Sequence, residues 1–206
     1  MADSFNVGSI TFADGTQSAP MRGDRYGGLS VSELRAPYAE LTGRGQRYNG
    51  ANQAAVTTTA AFATTWTGAG VYNPIGSPVN LEVDLVGFSI LLAFPAAASV
   101  GIMVGYSGTA SITSQSADGV YNAVAGLPVG NGLFLKGGTL PVAPTLRHVL
   151  ASGLTGAITT TPAIPALYDL KGGLILPPGA YAAFYTTTVS GTSGFIGSMS
   201  WIEVPR

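Results

Sequence analysis

The sequence predicts an all-β fold, an antiparallel sandwich or barrel of about eight short strands behind an extended N-terminal arm. Three observations carry this expectation. Short runs rich in β-branched and aromatic residues recur between Gly- and Pro-bearing turns. No run holds the 3.6-residue apolar period long enough for a long helix. Charge is unevenly spread: of 9 basic and 10 acidic residues, ten precede residue 51.

The arm comes first, over residues 1 to 50. It is polar and glycine-rich, and its five Arg balance its five acidic residues. Ser30-x-x-Glu33 matches a capping box, but Pro37 follows too soon for a full helix. Pro37 to Gly43 fits one helical turn stopped by glycine.

The β domain is expected over residues 51 to 206. Thr57 to Trp66 reads as its first strand. Leu81, Val83 and Leu85 alternate with Glu82 and Asp84, the pattern of a half-buried strand whose acids face solvent. The apolar phase then shifts to Val86, Phe88, Ile90, Leu92 and Phe94, which asks for a bulge near Val86-Gly87 or burial on both faces. Ser99 to Tyr106 and Thr109 to Gln115 follow as short strands. Thr145 to Leu154 suits a strand or a helical turn. Ala166 to Leu170, Leu174 to Leu176, Ala180 to Thr188 and Phe195 to Val204 complete the set. Pro178-Gly179 suits the centre of a type II turn, and Gly191 to Gly194 a loop between the last two long strands.

Composition restricts the chemistry. Only 9% of residues are charged, against about 25% in an ordinary soluble protein. Mean hydropathy is +0.34. Such a chain suits a membrane or a surface covered by partners. Leu85 to Ile112 is uncharged, but Pro95 and three Gly after it break any spanning helix, so two buried strands joined near Pro95 are expected and no membrane partner. The first residues carry no basic and apolar export pattern, so no signal peptide is expected. There is no Cys and one His, which excludes disulfides, thiol chemistry and any site needing two imidazoles.

The remaining motifs favour structure over catalysis. His148 follows Arg147 inside an apolar segment, and Gly105-Tyr-Ser-Gly108 lacks the spacing of a nucleophile elbow. Glu82 and Asp84 could act as paired carboxylates, but read better as a solvated strand face. Asp14-Gly and Asp118-Gly are turn dipeptides. Gly130-Asn-Gly132 before Lys136 lacks the Ser or Thr of a phosphate loop and suits a hairpin turn. Arg22-Gly-Asp24 is a three-residue match to an adhesion motif, too short to carry weight. No cofactor or metal is expected.

The arm is a different matter. Arg22, Arg25, Arg35, Arg44 and Arg47 lie among Tyr26, Tyr38 and Tyr48. Nucleic-acid arms are strongly one-signed, because affinity grows with the phosphates neutralised. This arm has no net charge, so a protein interface is expected and nucleic acid is not.

Gly28 to Tyr48 resembles the lead-in of virion structural proteins of tailed bacteriophages, where a Tyr- and Arg-bearing segment ending in Arg-Gly precedes a β domain. The likeness continues through Ala51-Asn-Gln-Ala-Ala, Tyr72-Asn-Pro, Asn80-Leu, Leu176-Pro-Pro-Gly-Ala-Tyr and Ser200-Trp-Ile-Glu203, over about residues 28 to 204. It implies a jelly-roll-like sandwich and a non-enzymatic capsid decoration (cement) protein. Such a protein would be a homotrimer on the capsid's outer surface, bound to the major capsid protein and assembled in the host cytoplasm. Two alternatives stand beside it. One is a sugar- or receptor-binding module of a tail fibre, with Trp66, Tyr72, Tyr106, Tyr121 and Trp201 as platforms. The other is a jelly-roll coat protein that builds its own shell.

Overall fold

A computed structural model describes residues 38–152 and 166–206. Leu41–Arg206 is one compact unit; of the other, Met1–Glu40, only the last three residues are described. The expected one-turn helix is present as α1, Ala39–Gly43, closed by Gly45 N–H donating to the Thr42 carbonyl. The Ser30–Glu33 capping box and Arg22-Gly-Asp24 lie outside the described residues.

Eleven strands follow among the described residues. They are β1 Arg47–Ala51, β2 Thr65–Tyr72, β3 Val79–Ile90, β4 Ser99–Tyr106, β5 Thr113–Asp118, β6 Val120–Asn122, β7 Leu133–Thr139, β8 Thr145–Ser152, β9 Ala166–Leu176, β10 Ala180–Thr186 and β11 Phe195–Pro205. They form two antiparallel sheets, ordered β6-β1-β11-β3-β9 (sheet one) and β5-β7-β2-β10-β4-β8 (sheet two).

The winding is that of a jelly roll with one excursion. Four antiparallel pairs, β1·β11, β2·β10, β3·β9 and β4·β8, are those of a single long hairpin folded at its middle. The β11·β3 and β10·β4 pairs then stitch this hairpin into two layers. Apart from β4 and β8, which pair within sheet two at the folded hairpin's start, successive strands of the roll alternate between sheets, and so a rolled hairpin buries one face of each layer. The β5–β7 excursion adds β7 and β5 beside β2, and β6 beside β1.

Between the sheets lies the main core, including Phe88, Phe134, Phe184, Phe195 and Trp201. Glycine makes room for these rings. A Cβ at Gly197 would sit 2.5 Å from Ala69 Cβ and 2.8 Å from the Phe184 ring. Sheet two is also covered on its outer face, where Trp66, Tyr72, Met103, Leu135 and Tyr181 pack with Ile112 and Leu140 from neighbouring loops. Burial on both faces explains why β4 and β10 are almost continuously apolar or small instead of alternating.

The phase shift in β3 is a bulge, but at Asp84 and not at Val86-Gly87. Val83 opposes Trp201 and Leu85 opposes Ser200, so Asp84 is the extra residue. Val79, Leu81 and Val83 therefore face the core before it, and Val86, Phe88 and Ile90 after it. Strand β9 breaks at the same level, skipping from Leu174 to Asp169 against β3. Lys171 and Gly172 have φ of 50° and 71° there, so the two expected segments at 166–170 and 174–176 are one interrupted strand.

Asp84 also corrects the expectation of a solvated acidic face. Its side chain is 0% exposed and accepts from Arg47 Nε at 2.7 Å and from Leu85 N–H at 2.7 Å. Other expectations shift too. Thr57 to Thr64 is not regular strand, because its hydroxyls bond neighbouring loops. Ser190 N–H donates to Thr58 Oγ1, and Ser193 N–H to Thr57 Oγ1. The strand expected at Thr109 to Gln115 begins at Thr113. The β3 strand ends at Ile90, short of Leu92 and Phe94. Pro178-Gly179 is the expected turn, with Gly179 at φ 88° and Ala180 N–H donating to the Pro177 carbonyl.

Arg47→Ala leaves a fully buried carboxylate without its cation. The variant is expected to lose about 3 kcal/mol of unfolding free energy by urea titration, and an unchanged midpoint would show that the pair is dispensable.

Candidate functional site

The expected interface residues divide into two groups. Arg22, Arg25, Tyr26 and Arg35 lie outside the described residues. Tyr38 is half-buried with φ 66°, and Arg44 is exposed just after α1. Arg47 and Tyr48 are built into the sandwich, so the composition boundary near residue 50 falls inside β1. Arg47 holds Asp84, and the Tyr48 ring stacks on Trp201 at 6.4 Å. Burial first, then the nearby Glu203 charge, pushes the Tyr48 phenol up, partly offset by a hydrogen bond with Asn122.

The motifs weighed for catalysis are not gathered into one place. Ser107 is buried and its Oγ accepts from Ala110 N–H. His148 pairs with Ile102 on β8, five residues of β4 away from Ser107, about 16 Å of strand. Asp118 accepts from Lys136 Nζ at 3.2 Å. No group of three metal-ligating side chains occurs among the described residues. No described helix is long and apolar enough to cross a membrane.

Gly130-Asn-Gly132 is not a hairpin turn, because β6 and β7 belong to different sheets. It is an anion cradle filled from within. Glu203 is 6% exposed, and its carboxylate accepts Asn131 N–H at 2.7 Å, Asn131 Nδ2 at 2.8 Å and Gly132 N–H at 2.9 Å. A Cβ at Gly130 would run into that carboxylate, which is why the loop is glycine there. Backbone amides thus do for Glu203 what Arg47 does for Asp84.

Of the five aromatic residues considered as sugar platforms, Trp66, Tyr72 and Trp201 are core, and Tyr106 and Tyr121 are exposed. The more informative exposed residues are aliphatic and lie on strand edges. Val149 on β8 is 64% exposed and Leu167 on β9 is 70% exposed; Leu146 and Ile175 accompany them. Strands β8 and β9 are the outermost strands of their sheets on one side of the sandwich. Beside Leu167 the outer face of sheet one is hollowed into an open groove of about 280 Å³, lined by Gly87, Ala166, Ile196 and Ser198. Periodicity alone gave no signal for these positions, since an exposed Leu or Val in a strand looks like a core residue until the register is known.

Comparisons with family models, with curated proteins and with solved structures return no match.

Two side chains give measurable handles. Glu203→Ala removes the acceptor for three donors of one loop. It is expected to cost about 3 kcal/mol and to make segment 123–132 the first site of proteolytic cleavage; unaltered cleavage would sink the cradle's holding role. Tyr181 donates to the Val142 carbonyl, and burial pushes its phenol up to about 12 from 10.0. A raised folded value means that the folded state holds its proton longer than the unfolded chain. Stability is therefore expected to fall as pH rises from 10 toward 12. Tyr181→Phe should flatten that fall in thermal melts, and an unchanged slope would exclude Tyr181 as its source.

Proposed function

We propose that the chain is a non-enzymatic virion structural protein, a decoration protein that binds the outside of a phage capsid and bridges its major subunits. The observation that carries this reading is the contrast between a jelly roll tied internally and the side chains it leaves outside. Asp84, Asp118 and Glu203, all carboxylates that could serve chemistry, hold Arg47, Lys136 and the 130–132 loop. The exposed edge of the roll carries Leu146, Val149, Leu167 and Ile175 among Arg147, His148, Asp169 and Lys171. A surface of this kind is suited to being covered by protein.

Self-association into a homotrimer belongs to the same reading. Buried apolar area supplies most of the stabilisation in such assemblies, at about 25 cal/mol per Å² before ordering costs. The arm contributes the contacts to the capsid, through Arg22, Arg25, Tyr26 and Arg35 with Tyr38 and Arg44. Arg47 and Tyr48 support it from inside the sheet. A tail-fibre module that reads sugars would rest on Tyr106 and Tyr121 alone among the residues first considered.

The test is binding to expanded capsids that lack decoration. Saturable binding by the full chain is expected, and a chain starting at Leu41 should bind at least about tenfold more weakly. No saturable binding by the full chain would overturn the decoration reading. Full binding by the shortened chain would remove the arm from it.

A further inference from the structure

We propose that the turn over Leu170 to Gly173 is an edge guard, which keeps β9 from adding to the sheet of another chain. Contacts between copies are then made by side chains and not by a continued ladder. This goes beyond the reading above and does not rest on it.

The step at Asp84 does not ask for this turn. On one side of β3, strand β11 passes the step with nothing inserted, since Val83 opposes Trp201 and Leu85 opposes Ser200. On the other side, four residues of β9, Leu170 to Gly173, stand against Asp84 alone. A neighbour of β3 needs no insertion, as β11 demonstrates, so these residues are surplus to the pairing.

The surplus is folded tightly and fastened. Lys171 and Gly172 have φ of 50° and 71°, both left-handed, as the centre of a type I′ turn requires. Asp169 Oδ1 accepts Lys171 N–H at 2.8 Å, and a Cβ at Gly173 would meet the Leu170 carbonyl oxygen at 2.9 Å. A left-handed lysine is strained, and such strain persists where the surroundings impose it. Leu170 packs against the core beside the turn, and Lys171 is exposed within it.

Among the described residues, β9 is the outermost strand with most need of a guard. It has 11 residues, against 8 for β8, 6 for β5 and 3 for β6. It also shows Leu167 and Ile175 to solvent. A long edge with exposed aliphatic residues is a template for another chain. The other edges are short or broken: β8 steps twice against β4, and β5 steps twice against β7 and has Ser114 at φ 50°. The turn divides β9 into flanks of four residues, Ala166 to Asp169, and three, Leu174 to Leu176. Each falls short of the about five or six residues of a usual strand. A partner spanning both flanks would have to skirt the turn and desolvate the Lys171 ammonium.

Deleting Lys171 to Gly173 tests the guard by leaving Leu170 alone opposite Asp84. The deleted chain, folded by circular dichroism, is expected to reach about twice the parent's mass or more in light scattering at equal concentration. The added mass should come with slowed amide exchange in Ala166 to Asp169 and Leu174 to Leu176, and dilution should reverse both. In the parent chain, the β9 amides turned away from β3 should exchange at one rate at every concentration, including those at which copies associate. A folded deletion chain with the parent's mass, or one that gains mass without slowed exchange in β9, would overturn the guard. So would parent β9 amides that slow as concentration rises. If the deletion chain does not fold, exchange in the parent decides. Neither measurement uses a capsid, so the guard and the decoration reading stand or fall separately.

Discussion

The buried Arg47–Asp84 pair sets the phase of sheet one. Without the extra residue at Asp84, β3 could not face the core with both Val79–Val83 and Val86–Ile90. The neighbouring strands follow the step: β11 between Ser200 and Trp201, and β9 through Lys171 and Gly172. A carboxylate at that corner would be costly alone, so the strand carrying its cation must be in place. That strand is β1, and it pairs with β11, the last strand of the chain. One ion pair therefore ties the opening of the roll, its third strand and its close to the same geometry.

Scarcity of charge follows from the layering. A sandwich with one solvated face per sheet would alternate polar and apolar residues along every strand. Here sheet two is covered on both faces, by sheet one within and by loops bearing Ile112 and Leu140 without. Its middle strands have little use for charged residues, and the approach of the layers calls for Gly and Ala between aromatic rings. The carboxylates that remain inside are each matched to a donor set, Asp84 to a guanidinium and Glu203 to amides.

Legibility in the sequence tracked how local the cause of each element was. Strand β4 has the bounds read for it, because an apolar run between Pro95 and Gly108 is self-contained. The Pro178-Gly179 turn was legible for the same reason. Strand β1, Arg-Tyr-Asn-Gly-Ala, carries no such pattern. It is a strand because Asn49 meets Ser200, Tyr48 meets Trp201 and Arg47 meets Asp84, all distant in the chain. The run Thr57–Thr64 misled in the other direction, since threonine favours strands on average but here spends its hydroxyls on loops. Of the expected interface residues, Arg47 and Tyr48 look like surface residues by composition, and only the register shows what they touch. The apolar edge at Val149 and Leu167 was illegible for the mirror-image reason.

The threonine and serine hydroxyls at the end of the sandwich near β10 have a consequence for solution behaviour. Thr58, Thr186 and Ser190 bond one another, Thr188 Oγ1 donates to the Ala97 carbonyl, and Ser99 N–H donates to Thr187 Oγ1. All of these partners are neutral. Ion pairs between exposed groups weaken as ionic strength rises, whereas neutral hydrogen bonds have no such counterion dependence. The loops at this end are thus insulated from changes in salt, and their shape is set by steric fit and hydroxyl geometry at low and high ionic strength alike.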